Sequence, residues 1–378
     1  MIVKIGDVIS EYSVRNKFDE NIPVYSVTNE KGFCTGYFSK EVASKDKSTY
    51  KIVPRGYFAY NPSRINVGSV DWQKYEDRVI VSPLYVVFGV SDRLDRQYLL
   101  HYLKSDMMLS FIKEYATGSV RDNLKLADLG KLPINLRPVE EQRQIATTLD
   151  KIDDLIAKRR QQLDKLDELV KSRFIEMFGD PVSNPLGWEK RTLKEVCTKL
   201  NDGTHFSPES FETGKYKYVT AKNIKMSGFD FSNITYVSEE VHRPIYERCN
   251  PEMGDVLYIK DGVTTGIAMV NTLEEEFTLL SSVALLKQDR RIMNGYFLTG
   301  LLNNENMYID IRSNMGGAAI TRLTIAKLNT IKVILPPLKL QERFAVFIIR
   351  TDKSKLAIQK SLDKLEILKK ALMQEYFG

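Results

Sequence analysis

One long segment occurs twice in this chain of 378 residues, and the repeat limits the folds that the chain can adopt. Residues 138–179 and 337–378 align without a gap at an offset of 199 positions. The identical pairs include Pro138 and Pro337, Gln142 and Gln341, Ala146 and Ala345, Asp153 and Asp352, and Phe178 and Phe377. An ungapped match of this length exceeds what a shared heptad composition produces, so the sequence predicts an internal duplication.

Each copy has the pattern of one long helix. No proline or glycine falls between Val139 and Phe178, and apolar residues recur at spacings of three and four. This seam comprises Leu149, Ile152, Ile156, Leu163, Leu166, Val170 and Met177 in the first copy, and Ile348, Ile358, Leu362, Leu365 and Leu372 in the second. Such a helix extends about 60 Å and needs a partner to bury its seam, which the other copy can provide. Four charged residues interrupt the seam, and they predict either local splaying or contacts with another protein: Arg159, Arg173, Lys355 and Lys369.

The predicted helices divide the chain into residues 1–137, 138–179, 180–336 and 337–378. Residues 1–137 and 180–336 are called the first and second heads. Strands are predicted at 24–28, 56–60 and 78–90 in the first head and at 216–220, 254–259 and 279–286 in the second, with helices at 95–115 and 293–311. The heads share the order of their secondary-structure elements and differ in their residues. This contrast predicts one shared structural framework, called the frame, that carries two different recognition surfaces.

The composition is that of an ordinary globular protein, with 43% apolar residues and a formal net charge of +6. This mild positive charge permits a nucleic-acid partner and does not demonstrate one. Cys34, Cys197 and Cys249 lie far apart without a CxxC pair, so neither a zinc site nor a disulfide framework is expected. No apolar run reaches the length of a membrane span or a signal peptide, and the expected location is the cytoplasm.

Three sets of residues resemble the specificity subunit of type I restriction–modification systems. The helix openings LRPVEEQRQIATTLDKID and LPPLKLQERFAVFI are similar to the conserved PPLxEQxxI-type regions of that family. The helix ends RFIEMFGDP and EYFG and the head entries VKIGDVI and RTLKEVC are similar as well. The copies depart mildly from the pattern, because Arg137 stands where the second copy has Pro336, and Leu340 stands where the first has Glu141.

The resemblance covers essentially the whole chain and implies an α+β fold with two mixed α/β target-recognition domains, each reading one half of a split DNA sequence. It implies that the two long helices pair as an antiparallel coiled coil, separate the heads and bind methyltransferase subunits. It also implies a chain without its own catalytic site or cofactor, because the methyltransferase partner carries S-adenosylmethionine. Whether a motor–nuclease subunit joins the complex stays open.

The repeat supports the same geometry without the resemblance. Two similar units in one chain form a pseudo-two-fold object, and the backbone of duplex DNA has a matching two-fold axis. Dimeric DNA readers place their half-sites about 34–36 Å apart, which a helical spacer of about 60 Å can accommodate. Because the heads differ in sequence, the predicted double-stranded DNA target is bipartite and asymmetric.

Reading DNA requires Arg, Lys, Asn or Gln at base edges and small polar groups at phosphates. In the first head the candidates are Asn61, Ser63, Arg64 and Asn66 in a loop punctuated by Pro and Gly, with Ser119, Arg121 and Asn123 in a later turn. In the second head they are Thr204, His205, Lys222, Asn223, Lys260, Thr264 and Thr265. The alternative at each position is a hydrogen-bonded turn or a solvated face.

Two other functions compete with DNA reading. An adenine methyltransferase needs an Asn-Pro-Pro-aromatic motif, and the nearest string, Asn61-Pro62-Ser63, lacks the second proline and the aromatic residue. The scattered His101, His205 and His242 do not support a histidine-based catalytic triad. A coiled-coil structural or interaction protein explains the helices and leaves two folded heads without a role. Binding of duplex DNA and methyl transfer by the isolated chain discriminate among the three.

Overall fold

The computed structural model describes residues 1–36, 46–115, 123–313 and 322–378. These residues form two compact units: residues 1–160 with 360–378, and residues 161–359. The first head belongs to the first unit and the second head to the second. Two helices of 40 residues, Val139–Phe178 and Leu338–Phe377, contribute to both units and are called the first and second long helices.

A four-stranded antiparallel sheet is the largest sheet of the first unit. Its strands lie in the order Ile9–Glu11, Val86–Val90, Phe58–Tyr60 and Val70–Trp72. Two-stranded antiparallel ladders pair Ile2–Lys4 with Pro133–Asn135, Ser26–Thr28 with Gly32–Cys34, and Lys51–Pro54 with Arg78–Val81. The helices of the head are Arg96–Leu103, Asp106–Tyr115 and Leu126–Leu129, with 3-10 turns at Ile5–Asp7 and Ile65–Val67.

The second unit also has a four-stranded antiparallel sheet, and it contains a three-stranded sheet as well. Its four-stranded antiparallel sheet has the order Cys197–Asp202, Val283–Gln288, Val256–Ile259 and Ala268–Val270. A three-stranded sheet places Tyr216–Val219 between Thr235–Val237 and Phe277–Leu279, and short ladders pair Lys190–Thr192 with Lys332–Ile334 and Ile224–Lys225 with Gly228–Phe229. Its helices are Leu193–Val196, Glu239–Arg248, Gly295–Leu302, Glu305–Ser313 and Ile325–Thr330, with a 3-10 turn at Ala221–Asn223.

The two four-stranded sheets correspond strand for strand, and each contains a hairpin that ends in a polar loop. Residues 61–69 join Phe58–Tyr60 to Val70–Trp72 and are called the first hairpin loop. Residues 260–267 join Val256–Ile259 to Ala268–Val270 and are called the second hairpin loop. The same topology therefore places several predicted DNA-contact residues at the same point of each sheet.

The single helices predicted at 95–115 and 293–311 are wrong, because each is broken into two. In the first unit the Ser105 hydroxyl accepts a hydrogen bond from Met108 N at 3.2 Å and starts a new helix. In the second unit the Asn304 carboxamide accepts from Met307 N at 3.2 Å. Ser and Asn favour such caps because their short side chains replace the missing helical acceptor. The two breaks lie 199 positions apart, so they belong to the repeated plan.

Two predicted strands are also divided. Residues 78–90 form two strands because the Ser82–Tyr85 turn, closed by Tyr85 N and Ser82 O at 3.0 Å, separates them. Residues 279–286 are divided because Leu280 N and Ser281 N donate hydrogen bonds to other segments of the second head. The first break is a local turn that contains Pro83, whereas the second depends on contacts with distant segments that a local pattern of β-forming residues does not contain.

The two long helices pair antiparallel within each unit. In the first unit Asp153 lies 2.5 Å from Lys369, and Arg160 lies 2.8 Å from Glu366. In the second unit Lys355 lies 2.5 Å from Asp167. Lys355 and Lys369 were expected to disturb the seam, yet both contact a carboxylate of the other helix. These partly exposed ion pairs define the register of the helices more than they stabilise the pair.

A buried glutamine joins each long helix to its head with the same three hydrogen bonds. The Gln142 carboxamide accepts from Asp95 N at 2.8 Å and donates to Arg93 O at 2.9 Å and Arg137 O at 2.8 Å. The Gln341 carboxamide makes the equivalent bonds to Asn294 N, Ile292 O and Pro336 O, at 2.8, 2.9 and 2.8 Å. Every partner of the second set lies 199 positions after its counterpart, so the duplication includes the helix–head junction.

Three further features bear on the function classes considered above. Within the described ranges, no helix is long and apolar enough to cross a membrane. Among the same residues, no group of three or more His, Cys, Asp or Glu side chains is placed to hold a metal ion. The cysteines are free thiols, and burial raises the pKa of Cys197 and of Cys249 to about 12.

Candidate nucleic-acid interface

The first hairpin loop is held by its own short-range hydrogen bonds. Asn61 Oδ1 accepts from Ser63 N at 3.1 Å and from Ser63 Oγ at 2.9 Å, and Arg64 N donates to Asn61 O at 3.0 Å. The 3-10 turn Ile65–Val67 follows. Arg64 is exposed, while Asn61, Ser63 and Asn66 are half-buried. The loop therefore presents a guanidinium from a backbone that the neighbouring polar groups already fix.

Tyr85 lies near the first hairpin loop, and Lys51 donates a hydrogen bond to the backbone carbonyl of Tyr85. Burial is the main cause that raises the pKa of the Tyr85 phenol, which therefore stays neutral, and Asn61 is among its partners. The phenol oxygen accepts a hydrogen bond from Val27 N at 3.3 Å, and Lys51 Nζ donates to Tyr85 O at 2.6 Å. Burial also lowers the pKa of Lys51. These contacts hold Tyr85 against the strands Ser26–Thr28 and Lys51–Pro54.

Three of the predicted segments in the second head meet at one turn. Ser281 N donates to Thr204 O at 2.8 Å, and Lys260 N donates to Ser282 O at 2.9 Å. Ala221 N donates to Ser282 Oγ at 3.3 Å. The segments that carry Thr204, Lys260 and the 3-10 turn after Ala221 therefore lie side by side, although they are far apart in sequence.

A close backbone approach at Gly203 makes this convergence possible. A Cβ atom at this position would lie 1.8 Å from Leu279 O, which no side chain can occupy. Thr204 N donates to the same carbonyl at 2.8 Å. Glycine is thus required where the segment crosses its neighbour.

Alternating charges connect the second hairpin loop to the rest of the head. Lys260 Nζ lies 3.3 Å from Asp202 Oδ2 and 2.9 Å from Asp261 Oδ2. Asp202 also lies 3.1 Å from His205 Nε2 and 3.6 Å from Arg248 Nη1. Lys260 is only 2% exposed, so its charge is balanced inside the head. In this arrangement Lys260 holds the loop, and the groups at the edge of the network face solvent.

The predicted contact residues fall into three classes of exposure. The exposed ones are Arg64, Asn123, His205, Lys222 and Thr264, and the half-buried ones are Asn61, Ser63 and Asn66. The buried ones are Thr204, Asn223, Lys260 and Thr265. Ser119 and Arg121 lie outside the described residues. The buried members hold loops: Thr265 Oγ1 donates to Gly262 O at 2.7 Å, and Asn223 Oδ1 accepts from Thr220 N at 3.0 Å.

Lys222 and Asn223 line a cavity of about 340 Å³ beside the same turn. The other lining residues include Tyr218, Thr235 and Ser282. Among the described residues the buried Tyr218 hydroxyl has no hydrogen-bond partner. An aromatic ring, hydroxyls and an exposed lysine together suit a polar, anionic backbone such as a sugar-phosphate.

Replacing Lys260 with methionine is expected to lower the free energy of unfolding of the second unit by about 3–5 kcal/mol, because two carboxylates lose a buried counter-charge. Chemical denaturation of the chain measures this loss. The control is Lys222→Met, which removes an exposed charge and is expected to change stability by about 0.5 kcal/mol or less. Equal losses in the two variants would contradict the assignment of Lys260 as a residue that holds the loop.

Three charged residues of this network were not among those predicted from the sequence. Asp202 anchors Lys260, Arg248 donates to Gly203 O and lies near Asp202, and Arg322 Nε lies 3.3 Å from Asp261 Oδ1. The Asp-Gly pair before Thr204 was the one local signal for this crossing. Arg248 belongs to the helix Glu239–Arg248, which was not predicted from the sequence.

The family model described as "Type I restriction modification DNA specificity domain" matches residues 2–168 and 185–368. The chain belongs to this family. The two matched ranges contain the two hairpin loops and most of both long helices, so the specificity domain occurs twice. The predicted family and its role in DNA sequence specificity are thereby confirmed.

Individual relatives agree with this assignment. The chain is 24% identical to the type I restriction enzyme MjaIX specificity subunit of Methanocaldococcus jannaschii over 299 residues, covering 75% of this chain and 68% of that protein. It is 22% identical to the putative MjaX specificity subunit of the same organism over 353 residues, or 89% and 80% of the two chains. Both relatives are specificity subunits by name.

Solved structures share the fold. A type I restriction–modification S subunit from M. genitalium superimposes with a TM-score of 0.63 at 16% identity, covering 100% of this chain and 96% of that one. A chain from a study of complex assembly in a type I system gives a TM-score of 0.56 at 19% identity, with coverages of 100% and 97%. The predicted class, two mixed α/β domains with two long paired helices, is confirmed.

Proposed function

We propose that this chain reads a bipartite, asymmetric DNA sequence for a type I restriction–modification complex. Each head reads one half of the target, and the long helices bind the methyltransferase subunits. The proposal rests on one observation: the junctions between long helix and head are repeated in the two halves of the chain, whereas the hairpin loops differ in sequence. The junctions of Gln142 and Gln341 are the same, whereas the hairpin loops carry NPSRINVGS in one head and KDGVTTGI in the other.

Exposed polar groups support DNA contact at both hairpin loops. Arg64 in the first loop and Thr264 in the second are exposed, and His205 and Lys222 flank the second loop. Arginine presents a planar fork to base edges or phosphates, whereas hydroxyls and single charges serve phosphates. Arg64 is therefore the strongest base-reading candidate of the sequence-derived set, and the buried members support the loops.

In this proposal, methyl transfer and DNA cleavage are carried out by partner subunits. This chain supplies no catalytic step in the proposal, and S-adenosylmethionine is the cofactor of the methyltransferase subunits. A motor–nuclease subunit is a further partner for cleavage. The complex acts where the genomic DNA lies, which for a bacterial or archaeal cell is the cytoplasm.

Apolar side chains exposed on the long helices support binding of the methyltransferase subunits. On the first long helix these are Leu155, Leu169 and Ile175, and on the second they are Val346, Ile349, Leu356, Ile367 and Leu368. Ile367 is 70% exposed. Apolar residues that a helix pair leaves uncovered are typical of surfaces that bind other proteins.

Selection from a library of randomised duplexes tests the function. The chain is co-expressed with its methyltransferase subunits, and the complex is used to enrich bound duplexes for sequencing. The expected result is two short specified blocks at a fixed separation, with different sequences. One contiguous block, or no enrichment, would contradict the proposal.

Substituting Arg64 with alanine is expected to relax base preference at one position of the first half-site by about tenfold or more, because one bidentate contact contributes roughly 1–3 kcal/mol of discrimination. The same selection measures it. Lys131→Ala removes an exposed charge of the same head that pairs with Asp128 at 2.7 Å, and it is expected to leave the preference unchanged. Unaltered preference and affinity in the Arg64 variant would remove Arg64 from the reading residues.

A further inference from the structure

One position beside each hairpin loop recurs in the two heads. The sequence predicted a DNA contact for its residue in the first head, Asn123, and none for its residue in the second head, Arg322. Leu124 N donates to Pro62 O at 3.1 Å in the first head, and Leu323 N donates to Lys260 O at 2.8 Å in the second. The residues immediately before these leucines are Asn123 and Arg322, and they lie 199 positions apart. The chain thus returns to the hairpin loop at the same place in both heads.

The second head places Arg322 directly beside Asp261. Its backbone pairs with Asp261 in an antiparallel bridge, and its Nε lies 3.3 Å from Asp261 Oδ1, within ion-pair distance but without hydrogen-bond geometry. Asp261 Oδ2 is fixed in turn by Lys260 Nζ at 2.9 Å, and Lys260 by Asp202 at 3.3 Å. The alternating series of charges ends at Arg322.

The outer part of this guanidinium is free to bind. The Arg322 side chain is 57% exposed, and within the described residues its two Nη groups have no acceptor. A carboxylate on Nε leaves the planar fork of the Nη groups pointing away from the pair. Such a fork matches the O6 and N7 acceptors of guanine in the major groove.

The first head has a different reader at the equivalent position. Asn123 is exposed and precedes Leu124, whose carbonyl accepts a hydrogen bond from the Tyr60 hydroxyl at 3.0 Å. A carboxamide has one donor and one acceptor that match the N6 and N7 groups of adenine. At the same position of the repeated fold, the second head therefore presents a guanidinium that matches guanine, and the first head presents a carboxamide that matches adenine.

We propose that this repeated position determines base specificity, with Arg322 reading guanine in the second half-site and Asn123 reading adenine in the first. Asp261 is the positioning residue for Arg322. The inference rests on the proposed function and refines it by naming the residue and the base. In both heads the leucine after this position donates a backbone hydrogen bond to the hairpin loop, whereas the side chain at the position differs. The same fold can therefore recognise two different half-sites.

Substitutions of Arg322 test the proposal in the duplex selection with the assembled complex. Arg322→Ala is expected to relax a guanine preference at one position of the second half-site by about tenfold to a hundredfold, with the first half-site unchanged. Arg322→Lys keeps the charge and loses the fork, so it is expected to relax the same position while retaining most of the affinity. Arg322→Asn is expected to shift the preference at that position toward adenine.

Two further variants separate reading from general effects. Asp261→Asn is expected to reduce the same guanine preference by a smaller factor, because the guanidinium stays and its orientation is lost. Arg291→Ala is the matched control: Arg291 also pairs with an aspartate, Asp289, at 2.7 Å, and is exposed away from the loop. It is expected to change no position. In the first head, Asn123→Ala is expected to relax one adenine position of the first half-site.

The outcomes distinguish this inference from the proposed function. If the unmodified complex enriches no two-block sequence, the proposed function fails and this inference fails with it. If the unmodified complex enriches two blocks and Arg322→Ala and Arg322→Lys keep every base preference, only the inference is overturned. Retention of the first half-site in each Arg322 variant shows that the complex is folded and assembled.

Discussion

Exchanging residues 1–137 for the first head of another family member is expected to change one half of the DNA target and leave the other half unaltered. The structural reason is that each head has its own buried core. The first core includes Phe58, Phe88 and Tyr98 and extends to Phe377 of the second long helix. The second core includes Phe297 and other residues that all belong to the second unit. A new first head leaves every residue of the second core in place.

The junction sets the condition for a successful exchange. Gln142 remains in the chain after the exchange and needs a backbone N–H and two carbonyls from the incoming head and its junction. Asp95 caps the helix Arg96–Leu103 by accepting from Gln97 N and Tyr98 N, so the donor head should carry Asp or Asn at this position. Exchange of residues 180–336 is the reciprocal control and should change the other half alone. A change in both halves, or in neither, would contradict the modular account.

Replacing Gln142 with leucine is expected to lower the free energy of unfolding by about 3 kcal/mol or more, because one N–H and two carbonyls lose their buried partner and each costs roughly 1–3 kcal/mol. Leucine preserves most of the volume, so the loss is one of hydrogen bonding. Gln341→Leu is expected to have a similar effect in the second unit, since the Gln341 side chain is also 0% exposed.

Amide hydrogen exchange locates each effect. In Gln142→Leu the amide of Asp95 is expected to exchange faster, and the amide of Asn294 is expected to keep its protection. In Gln341→Leu the pattern is reversed. Gln144→Ala, at an exposed position of the same long helix, is expected to change stability by about 0.5 kcal/mol or less. Unchanged stability in both leucine variants would show that the two glutamines are not structural junctions.

The sequence predicted the parts of the fold that are periodic or repeated. The long helix was predictable because the seam from Leu149 to Met177 repeats over many turns and contains no proline or glycine. Its internal partner was predictable because the second copy aligns without a gap. The helix breaks at Ser105 and Asn304 were missed because Ser and Asn are also tolerated inside helices, and only the bonds to Met108 and Met307 show that they cap.

The candidate interface was less predictable because it depends on contacts between distant segments. Lysine is normally solvent-exposed, so Lys260 was predicted to contact DNA, and its burial follows from Asp202, which lies far away in sequence. Arg322 was missed because it follows the mostly apolar sequence GGAAIT and has no local motif. Its importance is visible only when the Asp261 contact is known. Residue type thus predicted which loops carry polar groups, and tertiary contacts determine which groups face outward.

The central claim is that this chain directs methylation to a bipartite DNA sequence, and a genome-wide map of adenine methylation tests it most directly. The map is made in cells that contain the chain and its methyltransferase subunits and in cells from which only this chain is removed. The account predicts a split, asymmetric motif that is methylated in the first cells and unmethylated in the second. An identical set of methylated motifs in both cells would contradict it.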